Sequence, residues 1–285
     1  MKRASTADTV ATVRDLAWTG QHARAVERAT QALAARALET AERMTLLDLR
    51  AESLIAQGKL NAAADDAAAM HALAAAQKKP ALLAQALNRT ALVQMRRGDL
   101  TQASKTATNA VGVRHAVPAL RAESHLLLGE VNMRTLGNKA AIEHARKAIG
   151  IFQRSGNASG TGRAHWVIAL VHARERRNDE SRAAAQTALA LCREAGDQYG
   201  VGNALNALAQ TSVDIGERMR QYQQATVAFE TAGYAERLSI VLGNLAVTYS
   251  DLGLYSHARR LLVEHVDMGG IRRPDHHRHG PDPGG

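Results

Sequence analysis

His276, His277 and His279 crowd the C-terminal end of the chain, and imidazole is a good ligand for zinc, nickel or copper. No carboxylate or thiol stands beside them at a fixed metal-ligand spacing, so the tract predicts no built metal site. His165 and His172 lie seven residues apart, on one face of a helix, but neither belongs to an H-E-x-x-H motif, and they read as surface histidines. Cys192 is the one cysteine, which excludes an intrachain disulfide and a cysteine-based zinc site. It sits in the apolar segment LALCREAG with no identifiable His or Asn partner, as a buried, inert thiol would. Gly156 to Arg163, GNASGTGR, has the glycine density of a phosphate-cradling loop but lacks the Lys-Ser/Thr ending and a preceding strand; a flexible interhelical loop is predicted, without nucleotide. Two basic clusters, Arg174, Arg176 and Arg177, and Arg96 and Arg97, could contact phosphates, yet both precede turns, where the helix dipole favours cations. Two Trp, five Tyr and two Phe offer few platforms for stacked bases. No acid/base, nucleophile or metal pattern survives, so the chain is expected not to be an enzyme, with no metal and no cofactor.

The elements that carry these residues follow from composition. The chain has 285 residues, 46% of them hydrophobic, which is enough for a core. Aromatics are only 3% and about one residue in five is Ala, which removes the bulk that sheet cores need and excludes an all-β fold. A net charge of +9 and a pI of about 10.1 allow acidic partners without identifying one. The start, MKRASTADTVATVRD, contains no apolar signal core, and stretches such as Leu126 to Leu128 or Trp166 to Val171 fall far short of the ~20 residues that span a bilayer. A cytoplasmic protein without a membrane segment is expected, and a lone cysteine fits a reducing compartment. Before residue 270 the only prolines are Pro80 and Pro118, each ahead of an apolar-periodic stretch, where Pro suits the first turn of a helix. Apolar residues recur at three- and four-residue steps among good helix formers, so the chain reads as all-helical.

The helices recur with a period. Gly20, Gly58, Gly98 and Gly137 are spaced by 38, 40 and 39 residues, each followed five positions later by a small or apolar residue, and Gly253 falls about three periods further on. The two missing turns are placed near Arg177-Asn178 and at Gly216, giving seven units, with Asn178 standing in for Gly at a left-handed position. The last unit, LGNLAVTYSDLGLYSHARRLL, carries Leu242, Leu245, Ala246, Tyr249, Gly253, Tyr255, Ala258 and Leu262 at the spacing W-x2-L-G-x2-Y followed by A-x3-F. The third unit repeats it with Leu87, Ala91, Gly98 and Ala103, and the sixth with Leu205, Leu208, Ala209 and Gly216.

On these residues the chain resembles the tetratricopeptide repeat family over about residues 6 to 268, with a period nearer 39 than 34, as in the longer-helix variety of bacterial signalling ATPases, transcription activators and nucleotide cyclases. The stretch from Ala195 to Leu262 is similar to repeat regions of bacterial adenylate/guanylate cyclase-like proteins; nothing resembles a catalytic domain, so cyclase activity does not carry over. The resemblance implies an all-α, right-handed superhelical solenoid of about seven helix-turn-helix repeats over residues 1–268. It also implies that the first helix of each unit lines a concave groove. The family's groove positions fall here on Gln85, Asn88, Arg89, Arg163, Trp166, Asn203, Asn206, Gln210 and Asn244. Asn is a poor helix-interior residue unless its side chain is used, and such amides can clasp an extended peptide backbone. A non-catalytic protein- or peptide-binding scaffold, the regulatory or sensor part of a bacterial signalling protein, is therefore expected. The alternative is a ligand-responsive regulator of a fused or neighbouring cyclase, ATPase or transcription-factor output; a nucleic-acid binder is more distant.

After Met268 the composition shifts to GGIRRPDHHRHGPDPGG, and residues 269–285 are expected to be a disordered tail. A solenoid normally ends in a unit with a polar outer face. None follows the seventh unit, so either its second helix is itself exposed or the chain is a fragment of something longer.

Overall fold

The computed structural model describes residues 6–34, 38–114 and 116–268; the predicted tail, with His276, His277 and His279, lies outside them. Fourteen helices and no strand occur among the described residues, and they fall into seven consecutive pairs. These are α1 (Thr6–Trp18) with α2 (His22–Leu33), α3 (Thr40–Ala56) with α4 (Leu60–Gln77), α5 (Pro80–Arg96) with α6 (Leu100–Gly112), and α7 (Pro118–Arg134) with α8 (Asn138–Arg154). The series continues with α9 (Ala158–Arg174) and α10 (Asn178–Glu194), α11 (Gln198–Thr211) and α12 (Ile215–Ala232), and α13 (Ala235–Asp251) and α14 (Tyr255–Met268). Pro80 and Pro118 occupy first-turn positions, as expected. Several starts are fixed by side-chain caps: Asn157 Oδ1 accepts from Gly160 N at 2.7 Å, Asp197 Oδ1 from Gly200 N at 3.0 Å, and Asp214 Oδ1 from Gly216 N at 2.7 Å.

Alanine decides how the layers meet. Ala25, Ala63, Ala103, Ala141 and Ala258, five positions after the turn glycines in all but the fourth unit, are buried where the second helix of each pair faces the first. A methyl group there lets two helices approach closely, and larger residues such as Met44, Met70, Met95 and Phe152 fill the gaps alongside. The buried apolar residues form six separate clusters strung along the chain instead of one central core. That is the signature of a solenoid, in which each repeat is stabilised by its neighbours. The odd-numbered helices pack side by side on the inside, from α1·α3 through α9·α11, and the even-numbered ones stand outside.

Several expectations are corrected here. The left-handed residue of the fifth intra-repeat turn is Arg176 (φ 60°), and Asn178 is already helical; in the fourth it is Leu136 (φ 64°), one position before Gly137. Gly216 belongs to the first turn of α12, and its unit turns at Ser212 to Asp214 instead. Gly156 to Arg163 is not a flexible loop: only Gly156 and Asn157 lie outside helices, and the rest opens α9. His172 is buried and His165 half-buried, so neither is a surface histidine. At the far end α14 carries exposed Tyr255 and Leu262, so the last described helix presents an apolar outer face.

The superhelix also bites back on itself. The α1–α2 turn at Gly20 touches the α12–α13 turn, where a Cβ on Gly20 would stand 2.1 Å from the Thr231 carbonyl oxygen. His22 is buried in this contact: its Nε2 donates to Ala232 O at 2.8 Å, its Nδ1 therefore accepts from Ser53 Oγ at 3.2 Å, and its ring meets Tyr234 edge-on at 5.4 Å. Repeats one and six thus close the ring around an interior.

Candidate functional site

That interior is a cavity of about 500 Å³, walled by the inner helices and by the starts of α9 and α11. Its polar side chains come in two groups. The first sits where α3, α5 and α7 face one another. Arg89 Nε donates to Asp48 Oδ1 at 2.6 Å, its Nη2 lies 3.6 Å from Glu52 Oε2, and Gln85 Nε2 donates to Asp48 Oδ2 at 3.0 Å. Asn88 ties α5 to α7: its Nδ2 donates to Leu120 O at 2.8 Å and its Oδ1 accepts from Ser124 Oγ at 2.6 Å. Glu123 reaches into the same space, 3.5 Å from Asn88 Nδ2. Surrounding walls and the neighbouring Asp48 carboxylate push the Glu123 carboxyl up to about 7, against the pull of Arg89. Three carboxylates here face Arg89, and Arg14 of α1 also lines the cavity.

The second group lies two helical turns further along α5 and α7, at Arg96 and Glu130, which is about 10 Å at 1.5 Å per residue. Arg96 Nη2 donates across the cavity to the Tyr199 hydroxyl at 2.5 Å, joining α5 to α11. Its side chain is only 5% exposed, and its Nε and Nη1 have no hydrogen-bond partner; Glu236 Oε2 is 4.0 Å from Nη1. The guanidinium carbons of Arg96, Arg163 and Arg237 stand 5.9, 5.1 and 5.8 Å from the centre of the Tyr199 ring. Burial alone would raise the Tyr199 phenol, but Arg237 and Arg96 outweigh it and hold it below its ordinary value. Arg134 is pushed the other way for a cation, downward, by burial and by Arg237 and Arg96. Positive charge is therefore in excess at this end. Arg163 does not add to it, because its Nε and Nη2 grip Asp197 at 2.7 and 3.0 Å, and that carboxylate also accepts from Ser159 Oγ at 2.6 Å.

Of the nine groove positions, Gln85, Asn88, Arg89 and Arg163 line this cavity. Trp166 is buried beneath Arg237, 5.7 Å from the ring centre, with its indole N–H unpartnered. Asn203 is buried and bonds back to Tyr199 O at 3.0 Å, Gln210 is exposed, and Asn244 Nδ2 donates to Asn206 Oδ1 at 3.0 Å between α13 and α11. The basic clusters part company: Arg174 caps Met133 O at 2.6 Å in the last turn of α7, as the dipole and carbonyl arguments predict, whereas Arg97 reaches Leu60 O at 3.1 Å at the start of α4 and Arg96 turns inward. Sequence reasoning missed Glu123, Glu130, Tyr199 and Arg237, and assigned Arg96 to a helix end instead of the interior. A signal existed: Arg89 and Arg96, and Glu123 and Glu130, are both spaced by seven, which puts each pair on one helix face. Cys192 is buried as expected, and burial with Asp197 nearby pushes its thiol up to about 12. Among the described residues no group of three or more His, Cys, Asp or Glu could hold a metal, and no helix is long and apolar enough to cross a membrane.

The sequence matches no family model and no curated protein closely enough to carry an assignment. Solved structures do match in shape. A Rap protein complexed with Competence and Sporulation Factor superposes with a TM-score of 0.67 at 13% identity, over 93% of this chain and 76% of that one. NprR in complex with its cognate peptide NprX gives 0.56 at 12% identity, over 94% and 79%. A signal transduction ATPase with a tetratricopeptide repeat sensor, from Pyrococcus horikoshii, gives 0.56 at 8% identity, over 91% and 41%. At such identities the likeness is one of fold: this chain is a tetratricopeptide-like helical repeat solenoid.

Proposed function

We propose that the chain is a non-catalytic, peptide-binding regulatory module of a bacterial signalling system, working in the cytoplasm with a protein or peptide partner held inside the superhelix. The observation that carries this reading is the half-open cavity, whose walls present carboxylates, amides and guanidinium groups on inner helices. Its volume falls in the range of about 300–1,000 Å³ typical of ligand sites. Two structures of the same fold, the Rap protein and NprR, are complexes with a peptide or factor, which supports the same use of the interior here. Of the nine groove residues, Trp166 and Asn203 are buried behind the wall and support it, and the others are proposed to meet the partner. The cavity wall supplies Gln85, Asn88, Arg89 and Arg163. The Asn206–Asn244 pair leaves the Asn206 amino group and the Asn244 carbonyl oxygen without a side-chain partner, a donor and an acceptor that can meet the two hydrogen-bonding groups of a peptide unit.

A second reading rests on the closure between repeats one and six. A ligand inside a ring that opens and shuts shifts its curvature, and curvature is what an attached output would sense. The resemblance of the last repeats to those of cyclase-like proteins supplies the candidates for that output: a fused or neighbouring cyclase, ATPase or transcription factor. Nucleic acid is less well supported, since Arg50, Arg89, Arg163 and Arg177 are all engaged with carboxylates.

The test is direct. The protein is mixed with a pool of random pentapeptides, separated by gel filtration, and the retained peptides identified by mass spectrometry. Enrichment of a subset is expected, and it should vanish in Ala17→Trp, which fills the cavity from α1. Enrichment that survives the filled cavity would place binding elsewhere, and no enrichment at all would overturn the reading.

A further inference from the structure

The two ends of the cavity carry opposite charge, and this defines what fits. At one end Asp48, Glu52 and Glu123 oppose Arg89, with Arg14 of α1 also on the wall. At the other, Arg96 and Glu130 line the wall beside Tyr199, and Arg134, Arg237 and Glu236 stand near them outside the lining. Buried guanidinium N–H groups without acceptors are costly, and four such nitrogens lie here: Nε and Nη1 of Arg96, Nε and Nη2 of Arg237. Arg96 itself lines the cavity. The ends are two helical turns apart, about 10 Å, which an extended peptide covers in about three residues at ~3.3–3.6 Å each.

We infer that the cavity is a bipolar subsite for a short peptide with both termini free, its ammonium group against Asp48, Glu52 and Glu123 and its carboxylate against Arg96. This deepens the peptide-binding proposal and rests on it. Charge matching at both ends selects a zwitterion over a diamine, which suits one end only, or a dicarboxylate or phosphate ester, which suits only the other. Guanidinium pairs well with a carboxylate because two parallel N–H donors meet two oxygens. The acidic end is prepared for a cation in a different way. Glu123 faces Asp48 and Glu52 from α3 and Asn88 and Arg89 from α5, and its raised proton affinity means that near neutral pH it carries part of a proton. An incoming ammonium group restores the balance of charge and expels that proton.

The experiment uses the full chain and four pools of random tripeptides and tetrapeptides: free at both ends, N-acetylated, C-amidated, and blocked at both. Affinity is read by mass spectrometry of retained peptides and then by calorimetry on synthetic copies of those enriched. The free pool should bind at least about tenfold more tightly than either singly blocked pool, as losing a charge-assisted hydrogen bond implies. Glu123→Gln should erase the penalty of N-acetylation and leave that of amidation, and Arg96→Gln should do the reverse. Should Arg96→Gln lose its fold with the Tyr199 link, Arg96→Lys, which keeps a cation without the paired N–H donors, tests the same end. Calorimetry of a free peptide at pH 7 in phosphate and in Tris should give different enthalpies, from proton release; equal enthalpies would remove Glu123 from the site. Blocked and free pools binding alike would overturn the bipolar inference while leaving the peptide-binding proposal intact. No pool binding would overturn both.

Discussion

A carboxyl group whose folded-state proton affinity is raised makes a testable contribution to stability. Glu123 keeps contact with solvent, yet the protein packed around it and Asp48 push it up to about 7, whereas in the unfolded chain it titrates near the ordinary Glu value of about 4.3. Between those values the folded state binds the extra proton, so stability falls as pH rises from about 4.5 to 7, the reverse of a salt-bridged carboxylate. Glu123→Gln is neutral throughout and escapes this loss. The variant should therefore gain melting temperature over the parent at pH 8 and show little gain at pH 5; equal differences at both pH values would mean that Glu123 is not under charge strain. The asparagine pair is tested at the same scale. Changing Asn206 and Asn244 together to Ala removes one hydrogen bond, worth about 1 kcal/mol net, and adds helix propensity of similar size, so urea denaturation should show a change within about 1 kcal/mol. If the pair clasps a peptide backbone, affinity for an enriched peptide should fall at least about tenfold, and unchanged affinity in a normally folded variant would remove the pair from the binding surface.

Helix existence and pairing were legible because they depend on local periodicity, on Pro80 and Pro118, and on turn glycines repeated in register. What periodicity cannot show is why a residue is small. The GNASGTGR segment reads locally as a mobile loop, yet Gly160 and Gly162 are buried in α9 because Phe152 and Cys192 occupy the space a Cβ would need. The clue lay one repeat further on: Gly200 and Gly202 stand 40 residues after them in α11, against Cys192 and Phe229. Glycines recurring in register mark a close approach of helices; glycines scattered out of register mark a loop. The same blindness hid the charged cavity, since Arg96 meets Tyr199 across 103 residues of sequence. Gly162→Ala separates local from tertiary causes. Propensity favours Ala by about 1 kcal/mol, but the new methyl would stand 2.6 Å from Cys192 Sγ and 3.1 Å from the Ala188 carbonyl oxygen. Overpacking against backbone typically costs about 1–3 kcal/mol and should win. Thermal unfolding should show net destabilisation; a stabilised variant would mean that α9 and α10 are free to part.

On the scale of the whole molecule, a solenoid stabilised pair by pair gains long-range constraints where Arg96 reaches Tyr199 across the cavity and where the first and sixth repeats meet, at Gly20, His22 and the 231–234 turn. Gly58 and Gly233 adopt nearly the same backbone, φ 72° and 70°, so replacing either by Ala carries the same left-handed penalty of roughly 1–2 kcal/mol. Their surroundings differ completely. Nothing lies within 4 Å of a Cβ at Gly58, whereas at Gly233 it would stand 2.5 Å from Gly20 O and 2.8 Å from the His22 ring. A clash between two backbones has no flexible side chain to absorb it, so relief requires the first repeat to swing away from the sixth. Each repeat keeps its own neighbours in that motion, so helix content need not change. Gly233→Ala should therefore keep the circular dichroism of the parent while its radius of gyration by small-angle scattering increases, and the peptide affinity of the opened cavity should drop. Gly58→Ala should lose a similar amount of local stability with dimensions and affinity unchanged. Identical scattering from the two variants would show that the ring is not held shut by this contact, and the ligand-responsive reading would lose the hinge on which it depends.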